Sequence, residues 1–345
     1  MCGRGVLPMD GSAYRRLDRG SAVVVDGATL CTGPPVVVEV GLEPAAEAAG
    51  WDVVSLWTGT SRLLGSEVEG ETPGRLRLGP AGAVPDRPGA RVHAVRDADG
   101  EHLGEAVVTY ELDPHAEALL RAVGEAGHRL VLTAHAGVTD VAGLADEVAP
   151  PEETLLETVR RVQARGHGVL LAASGEGSLD LPGRDGAGAG AADAGPALLA
   201  ADVAVAPTVP GRAPAWGADL VTGPSLADAC RIVAATVAAR TLSRQCVETS
   251  VTGNVLGGLL ASVGSAERGQ RRATRPGKSA AAFNLAWGAW SALRFDARPE
   301  PDATVHTPWH ALDPDQVLRR VEARSMHERT GYGGRGCQEG HLQDT

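Results

Sequence analysis

The chain has 345 residues, a net charge of −11 at pH 7 and 43% hydrophobic residues, enough to bury a core in one large or two ordinary domains. The negative balance argues against nucleic-acid affinity, which needs a basic surface for the phosphates. Cys2, Cys31, Cys230, Cys246 and Cys337 form no C-x-x-C pair, so neither a disulfide framework nor a zinc site is expected, and a reducing cytoplasm suits them best.

The residue pattern predicts strands alternating with helices. Ser21–Val25 is a β-branched run ending in the turn pair Asp26-Gly27, and Val36–Val40 reads as a second strand. Trp51–Leu64 has helical spacing, and the Gly- and Pro-rich stretch Ser66–Gly89 reads as a loop. Arg91–Val95 and Glu105–Leu112 suggest a small sheet. Pro114–Glu125 is an amphipathic helix and Leu130–Thr133 a buried strand. Val138–Val148 and Pro151–Arg165 read as helices, the second with proline in its first turn. Val169–Ala172, Val203–Ala206 and Leu220–Val221 are further short strands. This alternation predicts an α/β fold with a doubly wound parallel sheet covered on both faces.

Leu181–Gly195 is of low complexity and reads as an excursion between a strand and a helix. Leu226–Val247 is a long helix, followed by the apolar stretches Val251–Val263 and Ala280–Leu293. Each stretch is shorter than the ~20 apolar residues of a membrane helix. Between them lie Arg268, Arg271, Arg272, Arg275 and Lys278, the last being the one lysine of the chain. This cluster reads equally as a solvated loop or as a face for anionic lipid. The polar, Pro-rich tail carries a helical patch at Pro314–Ala323, and its His306, Trp309 and His310 read as docking or linker residues.

Several segments, in order, carry a family resemblance. Arg4-Gly5-Val6-Leu7, with Gly11 and Leu17, leads into Val23-Val24-Val25-Asp26 and on through Gly27-Ala28-Thr29-Leu30-Cys31-Thr32. Gly127–His135 ends in Thr133-Ala134-His135. Ala149-Pro150-Pro151-Glu152-Glu153-Thr154 precedes Val159-Arg160-Arg161-Val162-Gln163. Gly175-Glu176-Gly177-Ser178-Leu179-Asp180 is separated by the glycine-rich excursion from Asp193-Ala194-Gly195-Pro196-Ala197-Leu198. Together these are similar to the R-G-x-L, D-K-T-G-T-L-T, T-G-D, P-E-D-K and G-D-G-x-N-D-A-P-A-L landmarks of P-type cation-transporting ATPases. The subgroup they resemble is the divergent actinobacterial one. The resemblance covers about residues 4 to 295, and it rests on the shared order of the motifs rather than on any one of them.

The resemblance implies a phosphorylation domain of haloacid-dehalogenase type, divided as 1–40 and 113–223. Residues 41–112 would form a reduced nucleotide-domain-like insert, 224–295 a helix with two apolar segments, and 296–345 a partly disordered tail. It also implies an aspartyl-phosphate at Asp26, ATP and magnesium as cofactors, and a transported cation. Asp26 and Thr133 would be catalytic, Gly175 and Gly177 would contact cofactor, and Asp26, Glu176, Asp180 and Asp193 would hold magnesium.

The departures from the pattern are equally specific. The family's two lysines fall on Gly27 and Thr154, and its T-G-D aspartate falls on His135. The insert has neither a K-G-A nor an H-P signature, and the second Asp of small phosphatases is absent. Asp26 also reads as a plain strand-ending turn, Glu176 and Asp180 as loop carboxylates, Arg160 and Arg161 as a solvated helix face, His135 as a surface histidine and Cys31 as an inert buried thiol. The expectation is a degenerate relative, weakly active or inactive alone. It would lie in the cytoplasm or on the cytoplasmic face of a membrane, with residues 251–293 as the candidate membrane-associated segment and a membrane-helix chain as a candidate partner. The competing expectation is a non-catalytic binding or regulatory domain or the product of a decaying gene, and a third, weaker reading is a soluble phosphatase.

Overall fold

A computed structural model describes residues 5–69, 76–84, 87–174, 191–208, 213–263 and 266–304; side chains at 65–69, 191–193 and 266–273 are not described. In chain order the elements are β1 (Leu7–Pro8), α1 (Ala13–Arg16), β2 (Gly20–Val25), β3 (Pro35–Leu42), α2 (Pro44–Ala48), α3 (Val53–Glu69) and β4 (Leu76–Ala83). Then follow β5 (Arg91–Asp97), β6 (His102–Tyr110), α4 (Ala116–Glu125), β7 (Arg129–Leu132), β8 (Glu147–Val148) and α5 (Leu155–Ala164). The last are β9 (Gly168–Ala172), α6 (Ala191–Ala200), β10 (Val203–Pro207), β11 (Leu220–Thr222), α7 (Ala227–Ser262) and α8 (Ala266–Asp296).

Two units form. The first comprises Met1–Gly33, Val84–Ala90 and Tyr110–His306. Its seven-stranded sheet has the order β1-β11-β10-β9-β2-β7-β8, and only β1 pairs antiparallel. Because successive strand residues point to opposite faces, the β2 run divides its side chains. Val23 and Val25 enter one core with Leu119, Leu120 and Val123 of α4 and Ile232 and Val233 of α7. Ala22 and Val24 enter the other with Val159 and Val162 of α5 and Leu198 of α6. A strand buried on both faces reads as continuous hydrophobic sequence, as β2 does.

The helices begin and end by local chemistry. Thr154 caps α5: its Oγ1 accepts from the Glu157 amide at 3.3 Å, and the Glu157 carboxylate accepts from the Thr154 amide at 2.9 Å. The cap, rather than proline in the first turn, sets the start of this helix. Gly127 (φ +66°) and Gly166 (φ +87°) follow α4 and α5 in the left-handed conformation that lets each chain turn back into β7 and β9. The helix expected over Val138–Val148 is instead two short 3-10 turns and β8. Asp146 accepts the Leu130 amide at 2.8 Å, drawing this segment into the sheet edge.

The second unit includes Pro34–Ala83 and Arg91–Thr109, with a four-stranded sheet ordered β3-β6-β5-β4. Leu56, Leu63 and Leu64 of α3 pack there on Val37, Val95, Ala106 and Val108. Part of the expected Ser66–Gly89 loop is therefore ordered, as the end of α3 and as β4.

The long helix runs on to Ser262, well past Val247. Its first turns are buried through Ala229, Cys230, Ile232, Val233 and Thr236. The remainder pairs with α8: a Cβ at Gly253 would stand 3.0 Å from that of Ala280, so glycine lets the helices approach closely. Both apolar stretches are thus parts of a helical hairpin. Val251, Val255, Leu259, Phe283, Leu285 and Trp290 remain exposed. Among the described residues, no helix is long and apolar enough to cross a membrane.

Candidate functional site

The C-terminal ends of β2, β7 and β9 lie side by side, the edge where ligands bind in open α/β sheets. The Asp26 amide donates to Ala172 O at 3.0 Å and the Thr133 amide donates to Val25 O at 3.0 Å, extending the ladder to the residues that matter. Asp26 then leaves the strand and caps a 3-10 turn over Gly27–Leu30.

Its carboxylate is held from two elements. Oδ1 accepts from Thr133 Oγ1 at 3.1 Å and from the Ala28 amide at 3.3 Å, while Oδ2 faces Thr29 Oγ1 at 3.4 Å. Thr133 Oγ1 accepts the Gly27 amide at 2.8 Å, and Thr29 Oγ1 accepts the Ser174 amide at 2.8 Å. One hydroxyl thus joins Asp26 to β7 and another joins it to the loop after β9. Burial raises the Asp26 pKa, opposed by the hydrogen bonds from Thr133, Ala28 and Thr29. Among the described residues no cationic side chain pairs with it.

Gly27 leaves no room for a side chain. A Cβ there would lie 2.7 Å from His135 Cβ and 2.7 Å from Thr133 O. His135 is half-buried: its Nδ1 accepts the Gly137 amide at 3.2 Å and lies 3.4 Å from Cys31 Sγ, and its Nε2 is buried without a hydrogen-bond partner among the described residues. Burial pulls its pKa down to about 4. Cys31 is buried, and its pKa is pushed up to about 12 by burial and then by the Asp26 charge, so it stays a thiol.

The remaining expected residues are less central. Thr32 points away from Asp26 and donates to the buried Asp113 carboxylate at 3.0 Å. Thr154 is committed to its helix cap. Arg160 is exposed. Arg161 pairs with Glu153 at 2.7 Å and with Glu147, which also binds Arg129 at 2.7 Å and Arg165 at 2.8 Å. Burial alone would raise the Glu147 pKa, but these guanidinium hydrogen bonds outweigh it and hold the value near about 2. Gly175, Glu176, Gly177 and Asp180 lie outside the described residues, and Asp193 is described only as backbone within α6. Among the described residues no group of three or more His, Cys, Asp or Glu side chains could hold a metal.

Sequence reasoning missed Thr29, Ser174 and Gly89. Thr29 and Ser174 are ordinary polar residues until the strand ends bring them together, and Gly89 sits in a stretch whose glycines look like any loop. The paired replacement at positions 27 and 135 was the available signal, since both lie within motifs of one site.

No family model matches the chain. It is 35% identical over 336 residues to "Probable cation-transporting ATPase I" of Mycobacterium tuberculosis (strain CDC 1551 / Oshkosh), covering 93% of this chain and 20% of that protein. The protein of the same name from Mycobacterium leprae (strain TN) is 35% identical over 332 residues, again covering 20% of its length. The chain therefore spans about a fifth of the curated relatives it matches. In fold it is similar to a zinc-transporting PIB-type ATPase, with a TM-score of 0.53 and 16% identity, covering 85% of this chain and 52% of that one. Along more than nine tenths of its length the chain is thus similar to two mycobacterial proteins named as probable cation-transporting ATPases, and it shares its fold with a P-type ATPase.

Proposed function

We propose that the chain is the phosphorylation segment of an ATP-dependent cation transporter, of haloacid-dehalogenase type, with Asp26 as the phosphoryl acceptor and with slow chemistry when alone. The observation that carries this reading is the position of Asp26, at the end of a central parallel strand and oriented by hydroxyls from two loops. Oδ2, which among the described residues faces the long Thr29 contact alone, is the oxygen suited to attack. It would form a bond to the γ-phosphorus of ATP while the bond to the β,γ-bridging oxygen breaks and ADP leaves.

Slowness follows from charge. Phosphoryl transfer relies on positive groups aimed at the transferring oxygens, and losing one costs roughly 10²–10³ in rate. The space beside Gly27 is filled by His135 and Thr154 caps a helix, so neither position supplies a cation. Magnesium needs several oxygen ligands. Asp26 is the described member of its expected set, with Glu176, Asp180 and Asp193 as the proposed remainder and no reaction step assigned to the ion.

The exposed apolar side chains of the α7–α8 hairpin support association with the cytoplasmic face of a membrane or with a partner chain carrying membrane helices. Labelled ATP with magnesium tests the central reading. An acid-stable, hydroxylamine-sensitive adduct that disappears in Asp26→Asn is the expected result; label that survives this substitution would place the acceptor elsewhere.

A further inference from the structure

Residues Arg87–Ala90 belong to the first unit. Within them, Pro88 O accepts the Ala136 amide at 2.7 Å, which ties this loop to the segment after β7. Gly89 has φ +81°, and a Cβ there would lie 1.8 Å from His135 Nε2 and 2.1 Å from Cδ2. The backbone of Gly89 is thus pressed against the imidazole. The other side of that ring meets Cys31 Sγ, and its Cβ closes the space at Gly27. Loop, ring and Asp26 turn form one stack.

We propose that Arg87–Ala90 is an autoinhibitory lid, seated on His135, that closes the turn carrying Asp26. As an inhibitory device it rests on the reading of Asp26 as phosphoryl acceptor; as a closure over the turn it does not. The Ala136 amide donates to Pro88 O across the seat, while among the described residues the buried Nε2 beneath Gly89 has no hydrogen-bond partner. An unsatisfied buried polar group is costly, and lifting the lid lets water reach Nε2. Glycine is what permits the closed state: any side chain at position 89 meets both the imidazole and a left-handed backbone penalty.

The test compares Gly89→Ala with Gly100→Ala. Gly100 has φ +91° but open space around a would-be Cβ, so that variant carries the backbone penalty without the collision. Two readouts need no nucleotide: hydrogen exchange at the Ala136 amide, and N-ethylmaleimide labelling of Cys31 located by peptide mass spectrometry. Gly89→Ala should speed both by about tenfold or more, the population shift that a left-handed non-glycine residue implies, while Gly100→Ala leaves both unchanged. Equal rates in wild type and Gly89→Ala, with both proteins folded by circular dichroism, would overturn the lid. Labelled ATP then tests the inhibitory role. A higher initial rate of adduct formation in Gly89→Ala supports it, and an equal rate removes it. Faster exchange with no adduct in either protein would retain the closure, remove its inhibitory role and count against the acceptor reading of Asp26.

Discussion

Gly27 and His135 occupy one another's space: a β-carbon on the glycine would stand 2.7 Å from that of the histidine. The backbone oxygen of Thr133 lies equally close, at 2.7 Å, so the local backbone demands glycine at 27 as much as the β-carbon of residue 135 does. This crowding leads to the first prediction.

Gly27→Lys alone should destabilise the protein by about 1–3 kcal/mol, the usual cost of overpacking. His135→Ala keeps the β-carbon and leaves Thr133 O in place, so Gly27→Lys with His135→Ala should recover little of that loss, as measured by urea denaturation of the four members of the cycle. Recovery of most of the loss would show that the imidazole ring, rather than the β-carbon and the Thr133 carbonyl, closes the space at 27.

Asp26 carries a raised pKa because burial penalises its charge. A group whose folded pKa lies above its unfolded value favours folding below the unfolded pKa and loses that contribution as pH rises through the folded one. At neutral pH the carboxylate therefore works against folding. Asp26→Asn should raise the Tm at pH 7 by about 2–4 °C for each kcal/mol relieved, with the gain vanishing near pH 4. Calorimetry at both values checks this, and a lower Tm at pH 7 would contradict it.

His135 behaves in the opposite sense. Its pKa is depressed by burial to about 4, so the stability it carries is present above the unfolded value of about 6.5 and is lost as pH falls toward 4. The wild type should lose stability more steeply than His135→Asn between pH 6.5 and 4. Parallel curves from denaturation at several pH values would exclude a buried neutral imidazole.

Thr133 Oγ1 both accepts the Gly27 amide and donates to Asp26. Thr133→Val preserves shape but leaves an amide and a carboxylate oxygen short of partners, at a cost of about 1–3 kcal/mol. Thr133→Ser keeps the hydroxyl and should cost less than half as much. Equal losses in the two variants, measured by chemical denaturation, would mean that the methyl group matters more than the hydrogen bonds.

Much of the parallel sheet was legible because its strands are buried on both faces. Val23, Val24 and Val25 are apolar without a break, and so are Leu130–Leu132 and Val169–Ala172. The same logic failed where burial is partial. Val138–Val148 carries enough apolar residues to suggest a helix, yet hydrogen bonds to β7 draw it into 3-10 turns and an edge strand. The two apolar stretches near the C-terminus read as separate segments because the basic cluster from Arg268 to Lys278 lies between them. In the fold Gly253 allows α7 and α8 to pack closely.

By itself, the sequence determined the order of strands and helices, the strand that ends in Asp26 and kinship with a transport ATPase. Periodicity and motif order are properties of neighbouring residues, and a linear reading captures them. Only tertiary structure decided that Thr29 and Thr133 converge on the carboxylate, that His135 Cβ and the Thr133 carbonyl leave no room for a side chain at 27, and that Gly89 rests on the imidazole. Those relations join residues far apart along the chain, and they depend on contacts shorter than 3.5 Å that no local pattern encodes.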